Sequence, residues 1–307
     1  MRLSSFLTIH PAVRAALREG RPVVALESAV ITHGLPWPEN LELARDMEAA
    51  VRAEGGEPAT IALLSGRVHV GLEDRDLARL AEAEKRSARV WKISRRDLPV
   101  AVAQGRYGGT TVAGTILIAA AAGIRVMATG GIGGVHRGAA YDVSADLPEL
   151  ARQPVLVVCS GAKAILDLPA TLEWLETWGV PVVGYQTGEF PAFYSRESGL
   201  ALEARADSPD QAAAIALAAR DAGLAGGMLL CVPCPEDAAR PAAEMEEVIG
   251  RAVGEAGVQG IRGKAVTPFL LARVAELTEG RSRTANLALL RNNARVAAQV
   301  AAAIQRI

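Results

Sequence analysis

Residues 21–31, "RPVVALESAVI", decide how the chain is read. Val23-Val24-Ala25-Leu26 is a short apolar run without polar alternation, the mark of a strand buried on both faces. "PENLELARDMEAAVRAEG" (38–55) follows, with apolar residues at helical spacing among charges. The same couple recurs outward: "ATIALLSGRVHV" (59–70) with "LEDRDLARLAEAEK" (72–85), and "RVWKIS" (89–94) ahead of "TTVAGTILIAAAAG" (110–123). Later come "IRVMATGGIGG" (124–134), "QPVLVVCSG" (153–161) with "AILDLPATLEWLETWG" (164–179), and "VPVVGYQTG" (180–188) with "PDQAAAIALAARDAG" (209–223). Next are "GGMLLCVPCP" (226–235) and the helical "AAEMEEVIGRAVGEAGVQG" (242–260). Two further helices, starting at Thr267 and Arg283, close the chain. Short apolar runs followed by amphipathic helices predict an α/β protein with a largely parallel or mixed sheet covered on both faces. No linker-like tract or repeat interrupts the pattern, so a single domain over residues 1–307 is expected.

Composition narrows the function classes. A formal net charge of −1 lacks the basic excess of a nucleic-acid-binding surface. Apolar stretches are short and broken by Gly, Pro or charge, so no membrane span is expected. The first twenty residues lack a secretory core and cleavage site, which points to a soluble, cytoplasmic protein. Cys159, Cys231 and Cys234 make no disulfide framework; "CVPC" reads either as two small residues ending a strand or as a redox or metal pair. Lysine stands only at 85, 92, 163 and 264, although Lys plus Arg total 33. A guanidinium does not deprotonate at useful pH, so retained lysines are candidates for work that arginine cannot do.

Ligands of open α/β sheets bind outside the C-terminal strand ends, and the unusual residues gather there. Glu27 ends the first apolar run, where burial raises a carboxyl pKa toward acid/base work; a structural carboxylate paired with arginine is the alternative. "VVCSGAKAILD" (157–167) reads as strand end, tight turn and helix, with Lys163 on the first helical turn. There the dipole and desolvation would both favour a neutral, nucleophilic amine. Lys92, Arg95 and Arg96 in "KISRRDLP" suit a phosphate, or form a surface ion pair of little consequence. The Gly108-Gly109 turn and threonine cap before Val112 could offer helix-terminal N–H groups to an anion, or be ordinary capping. "MATGGIGGVHRG" is not the dinucleotide fingerprint. His136 within it is either an acid/base or ligand group or a hydrogen-bonded spacer. Asp142, Ser144 and Asp146 offer oxygens for a divalent cation and polar substrate, or cap the next helix. Gln186 to Glu189 also follow a strand.

Eight segments in fixed order resemble the pseudouridine-5'-phosphate glycosidase family: "PVVALES", "KISRRDLP", "GGTTVAGT", "TGGIGGVHRGA", "DVSADL", "SGAKAILD", "GVPVVGYQTGEFPAF" and "TPFLLARVAELT". They extend from about residue 20 to 290. The resemblance implies reversible cleavage of pseudouridine 5'-phosphate to ribose 5-phosphate and uracil, a manganese-type divalent ion (Mn2+), a three-layer α/β/α sandwich and a homotrimer. It places the covalent lysine at Lys163, the acid/base carboxyl at Glu27 and the phosphate-side lysine at Lys92. Substrate contacts fall on Thr110, Thr111 and Val112, on Ser144, Ala145 and Asp146, and on Asn286, with Asp142 as metal carboxylate; His136 is a further candidate. The segment between His136 and Asp142 is slightly shorter than the family pattern. Two other readings share the lysine or the phosphate loops: a metal-independent Schiff-base aldolase, and a sugar-phosphate-binding protein without turnover. A kinase is disfavoured because no Walker A motif is present.

Overall fold

The computed structural model describes residues 6–82, 90–138, 142–261 and 266–307. Its main sheet orders β1 (Leu7–Ile9), β4 (Arg67–Val70), β3 (Glu57–Leu64), β2 (Val23–Leu26), β7 (Val126–Ala128), β9 (Leu156–Cys159), β13 (Met228–Cys231), β11 (Val182–Tyr185) and β12 (Ala204–Ala206). From β3 to β12 every neighbouring pair is parallel. The apolar, β-branched runs make these strands because both faces are covered, and β2, β7, β9 and β13 are buried at every residue.

Residues 59–70 hold two strands rather than one. Ser65 and Gly66 both take positive φ (48° and 76°), a tight turn that folds β4 back antiparallel on the far half of β3. That half also pairs antiparallel with β6 (Gly108–Thr110), which runs parallel to β5 (Trp91–Ile93). Gly108 and Gly109 are therefore strand residues. A two-stranded ribbon, β8 (Val135–His136) with β10 (Leu166–Asp167), lies apart from the main sheet.

Helices cover both faces, giving the three-layer α/β/α sandwich. α3 (Glu39–Ala53) and α9 (Pro209–Asp221) flank α12 (Arg281–Arg306), which lies across β2, β7 and β9. α12 thus packs on its own sheet, burying Leu289, Leu290, Val296, Ala297 and Val300 along one face. α6 (Val112–Ala122) and α7 (Asp146–Arg152) pack together on the opposite side. The remaining helices are α1 (Pro11–Arg18), α2 (Ala29–His33), α4 (Asp74–Ala81), α5 (Leu98–Ala103), α8 (Leu168–Thr177), α10 (Ala242–Val258) and α11 (Val266–Leu277). Among the described residues no helix is long and apolar enough to cross a membrane.

Strand order reverses between β2 and β7: the chain steps from β2 to β3 on one side, then returns to place β7 on the other. Loops leaving the carboxyl ends of β2 and β7 diverge at such a point and leave a crevice.

Candidate active site

A cavity of about 610 Å³ opens at that crevice. Its wall carries Lys163, Glu27, Lys92, Thr111, Val112, Ser144, Ala145, Asp146, His136, Asn286 and Asp142. Of the residues singled out from sequence, Thr110 is set elsewhere. It is fully buried, its hydroxyl donates to Ile61 O (2.7 Å), and its amide donates to Ser28 Oγ (3.0 Å). Thr110 ties β6 to β3 and presents nothing to a ligand. Gln186 to Glu189 do not line the cavity either. Glu189 accepts from the amides of Ser198 and Gly199, closing the following loop.

Glu27 leaves the end of β2 only 7% exposed. Burial, the dominant cause, pushes its carboxyl above the ordinary value. Lys163 and a hydrogen bond from Thr129 Oγ1 pull it back, Asp146 pushes it further up, and Lys92 draws it down. One carboxyl therefore feels Lys163, Asp146 and Lys92 together, although the four residues lie as far apart in sequence as positions 27 and 163.

Lys163 is not on a helix. The turn Ser160-Gly161 continues β9 as an extended segment alongside the glycine-rich loop that follows β7. Ser160 N–H donates to Gly130 O (2.8 Å), Ile132 N–H to Gly161 O (3.0 Å), and Lys163 N–H to Ile132 O (3.0 Å). The helix starts only at Leu168, capped by Asp167, whose carboxylate accepts from the Ala170 amide (3.0 Å). Lys163 therefore does not sit on the first turn of a helix and feels no dipole from one of its own, which corrects the expectation drawn from "SGAKAILD". The amine lies half-buried on the cavity wall. Gly161 makes the geometry possible: its φ is +78°, and a Cβ there would collide with Pro191 O.

Asp146 is the first residue of α7 and 6% exposed. Its Oδ1 accepts from Ala113 N–H and its Oδ2 from Gly133 N–H, both at 2.8 Å. Thr111, the N-cap of α6, accepts from Gly114 N–H (3.2 Å). Two amides of the first turn of α6 are thus already taken by the protein's own oxygens, so this helix end is not the open anion cradle that the sequence suggested. Ser144 caps the amide of Asp146 (3.2 Å). His136 lies in the β8–β10 ribbon, and its amide donates to Asp142 O (2.9 Å).

Arg95 grips the buried Glu149 with two donors, one at 2.9 Å, and both residues reach the cavity wall. Arg96 is the weak surface partner, 3.8 Å from Asp97 with its side chain 78% exposed. Asp142 is exposed on the wall, and among the described residues no three His, Cys, Asp or Glu group as metal ligands. That donor set fits a hydrated hard cation held by one carboxylate, and does not fit a closed protein cage. The short segment between His136 and Asp142 falls partly outside the described residues. Cys159, Cys231 and Cys234 are buried free thiols away from the cavity, with Cys231 ending β13, as the strand-end reading of "CVPC" expects.

Besides Glu149, the site residues that escaped the sequence reading include Thr129 and Asn293. Thr129, at the head of "TGGIGG", donates to Glu27. Asn293, fully buried in α12, donates to Thr129 O (2.9 Å) and to Ser160 Oγ (3.1 Å), joining the loops after β7 and β9. Asn286, Leu290 and Asn293 recur at intervals of four and three, one helical face turned to the site, and that spacing was the available signal.

Residues 12–303 match the family described as Indigoidine synthase A like protein. A pseudouridine-5'-phosphate glycosidase of Herpetosiphon aurantiacus is 59% identical over 97% of this chain and 98% of its own. Among solved structures, the prealnumycin C-glycosynthase AlnA in complex with ribulose 5-phosphate is 41% identical, with a TM-score of 0.89 over 98% of this chain and 97% of its own. An indigoidine synthase A-like protein of Thermotoga maritima is 35% identical with a TM-score of 0.89, over 100% of this chain and 99% of its own. The chain therefore belongs to the indigoidine synthase A-like family, together with the pseudouridine-5'-phosphate glycosidases.

Proposed function

We propose that this enzyme reversibly cleaves the C–C glycosidic bond of pseudouridine 5'-phosphate through an imine on Lys163. The observation that carries the reading is the convergence of Lys163, Lys92 and Asp146 on one buried carboxyl, Glu27, in a cavity at the strand-order reversal. Relatives bearing that glycosidase name, and a neighbour solved with a ketopentose phosphate, support it.

The leaving atom is a carbon, so expelling it through a protonated oxygen, as in the two-carboxylate route, does not serve. An amine solves this. Lys163 Nζ bonds C1' while the C1'–O4' bond breaks and Glu27 gives its proton to O4'. Glu27 recovers a proton from the resulting ammonium. The nitrogen lone pair then forms C1'=N as the C1'–C5 bond breaks, and the bond pair takes that proton at C5 of uracil. Water hydrolyses the iminium to open-chain ribose 5-phosphate, freeing Lys163 and returning a proton to Glu27. The reverse sequence makes the bond. In this reading Lys92 holds the phosphate side, and Ser144 and Asn286 contact the ribose. A Mn2+-type ion at Asp142 would orient polar groups as a Lewis acid. A homotrimer belongs to the same reading and is checked by sedimentation.

Incubation with ribose 5-phosphate and borohydride, followed by peptide mass spectrometry, tests the imine. The expected result is a reduced ribose-phosphate adduct on Lys163 and, without borohydride, metal-dependent pseudouridine 5'-phosphate when uracil is added. An adduct without that product would indicate an aldolase-type lyase. Neither adduct nor product would leave only a sugar-phosphate-binding protein.

A further inference from the structure

Arg137 of "VHRG" sits outside the cavity wall, yet its side chain reaches the segment that carries Lys163. Its Nη2 donates to Ala164 O (3.2 Å) and its Nε to Leu166 O (3.1 Å). The same guanidinium is forked onto the Glu246 carboxylate of α10, with Nη2 2.9 Å from Oε2. Lys163 itself lies outside helix and sheet, between the Ala162–Ile132 bridge and the first residue of β10, Leu166, and the hydrogen bond from Lys163 N–H to Ile132 O restrains it further.

We infer that Arg137 is a positioning residue for Lys163: a strut that fixes the carbonyls just after the lysine and braces them, through Glu246, against α10. The inference rests on the imine reading above. A planar fork with five donors can hold two carbonyls and a carboxylate at once, which a lysine cannot. Arg137 is 29% and Glu246 64% exposed at the side chain. The backbone contacts should therefore matter more than the ion pair, which solvent screens.

The test measures the rate at which borohydride traps the Lys163 adduct with ribose 5-phosphate, beside kcat and KM for condensation with uracil. A displaced reacting group costs rate rather than ground-state binding. Arg137→Gln should therefore trap about 10- to 100-fold more slowly, with KM for ribose 5-phosphate changed less than about threefold. Arg137→Lys should recover part of the rate, and Glu246→Gln should lose no more than about threefold. A trapping rate in Arg137→Gln within about twofold of wild type, or a loss confined to KM, would overturn the inference. Should Arg137→Gln fail to fold, Arg137→Lys decides, and a wild-type trapping rate there overturns it equally. Wild-type protein that yields no adduct sinks the imine reading and the strut with it; a wild-type adduct with unimpaired variants sinks only the strut.

Discussion

Asp146→Asn is the sharpest probe of how this site is built. Each carboxylate oxygen of Asp146 accepts one backbone N–H at 2.8 Å, from Ala113 and from Gly133, at 6% exposure. An asparagine amide can satisfy only one of them and turns its own NH2 toward the other, donor against donor. One charge-assisted hydrogen bond is lost and a buried N–H is left unpaired, at a cost of about 2–3 kcal/mol. The start of α6 also loses an anion at its positive end, which acts in the same direction. With unfolding entropy scaling with length, a chain of 307 residues has about 0.65 kcal/mol/K, so the melting midpoint should fall by about 3–5 °C. Asp210→Asn, which removes the exposed pair with Arg306, is the control and should leave the midpoint where it is. The variant should also alter the pH profile. Asp146 is one of the groups that push the Glu27 carboxyl up, so neutralising it lets that pKa fall. If protonated Glu27 delivers the proton to O4', the limb on which kcat declines with rising pH moves to lower pH. A midpoint within about 1 °C of wild type together with an unmoved limb would refute both halves of this reasoning.

Three further outcomes are expected. Glu27→Gln should abolish turnover yet melt higher than wild type in alkaline buffer. The folded-state pKa of Glu27 lies above its ordinary value of 4.5, so its favourable contribution is complete below that value and lost as pH rises through the folded pKa. The advantage of glutamine in a pH series of thermal melts should therefore be smallest near pH 4 and grow upward, and a gap independent of pH would contradict the burial assigned to Glu27. Gly161→Ala forces a side chain into φ +78° and against Pro191 O. It should displace Lys163, slow adduct trapping more than it raises KM, and lower the midpoint; wild-type trapping would show that the turn adapts. Chelation of divalent ions should remove turnover while leaving the melting midpoint nearly unchanged. A single exposed carboxylate, Asp142, gives an ion little hold on the fold, and a large fall in midpoint would point to a structural cage instead.

What was legible in the sequence was local. β2 and Glu27 follow from an apolar run ended by a carboxylate, and α3, α9 and α12 follow from helical periodicity. The errors share a physical cause. "SGAKAILD" carries no period of its own, because its segment is shaped by pairing with the loop after β7, a contact across some thirty residues. One local signal did mark the true helix start, since Asp167 precedes Leu168-Pro169 and proline is favoured in the first turn. The N-terminus of α6 looked open because the oxygens that fill it come partly from Asp146, which is 33 positions away in sequence. In the same way, Asn293 is seen as a site residue only once α12 is laid across β7 and β9. Local pattern thus places polar groups at the ends of strands, but it cannot say which of them the fold has already consumed. Asp146 and Thr110 are spent on backbone amides and carbonyls. Glu27, although bonded to Thr129, is held raised by burial and still faces Lys163. A buried group whose hydrogen bonds all close within the protein holds the site in shape. One whose charge is poorly compensated can move a proton, and by that criterion Glu27, rather than the equally buried Asp146, is the carboxyl suited to the acid/base role proposed above.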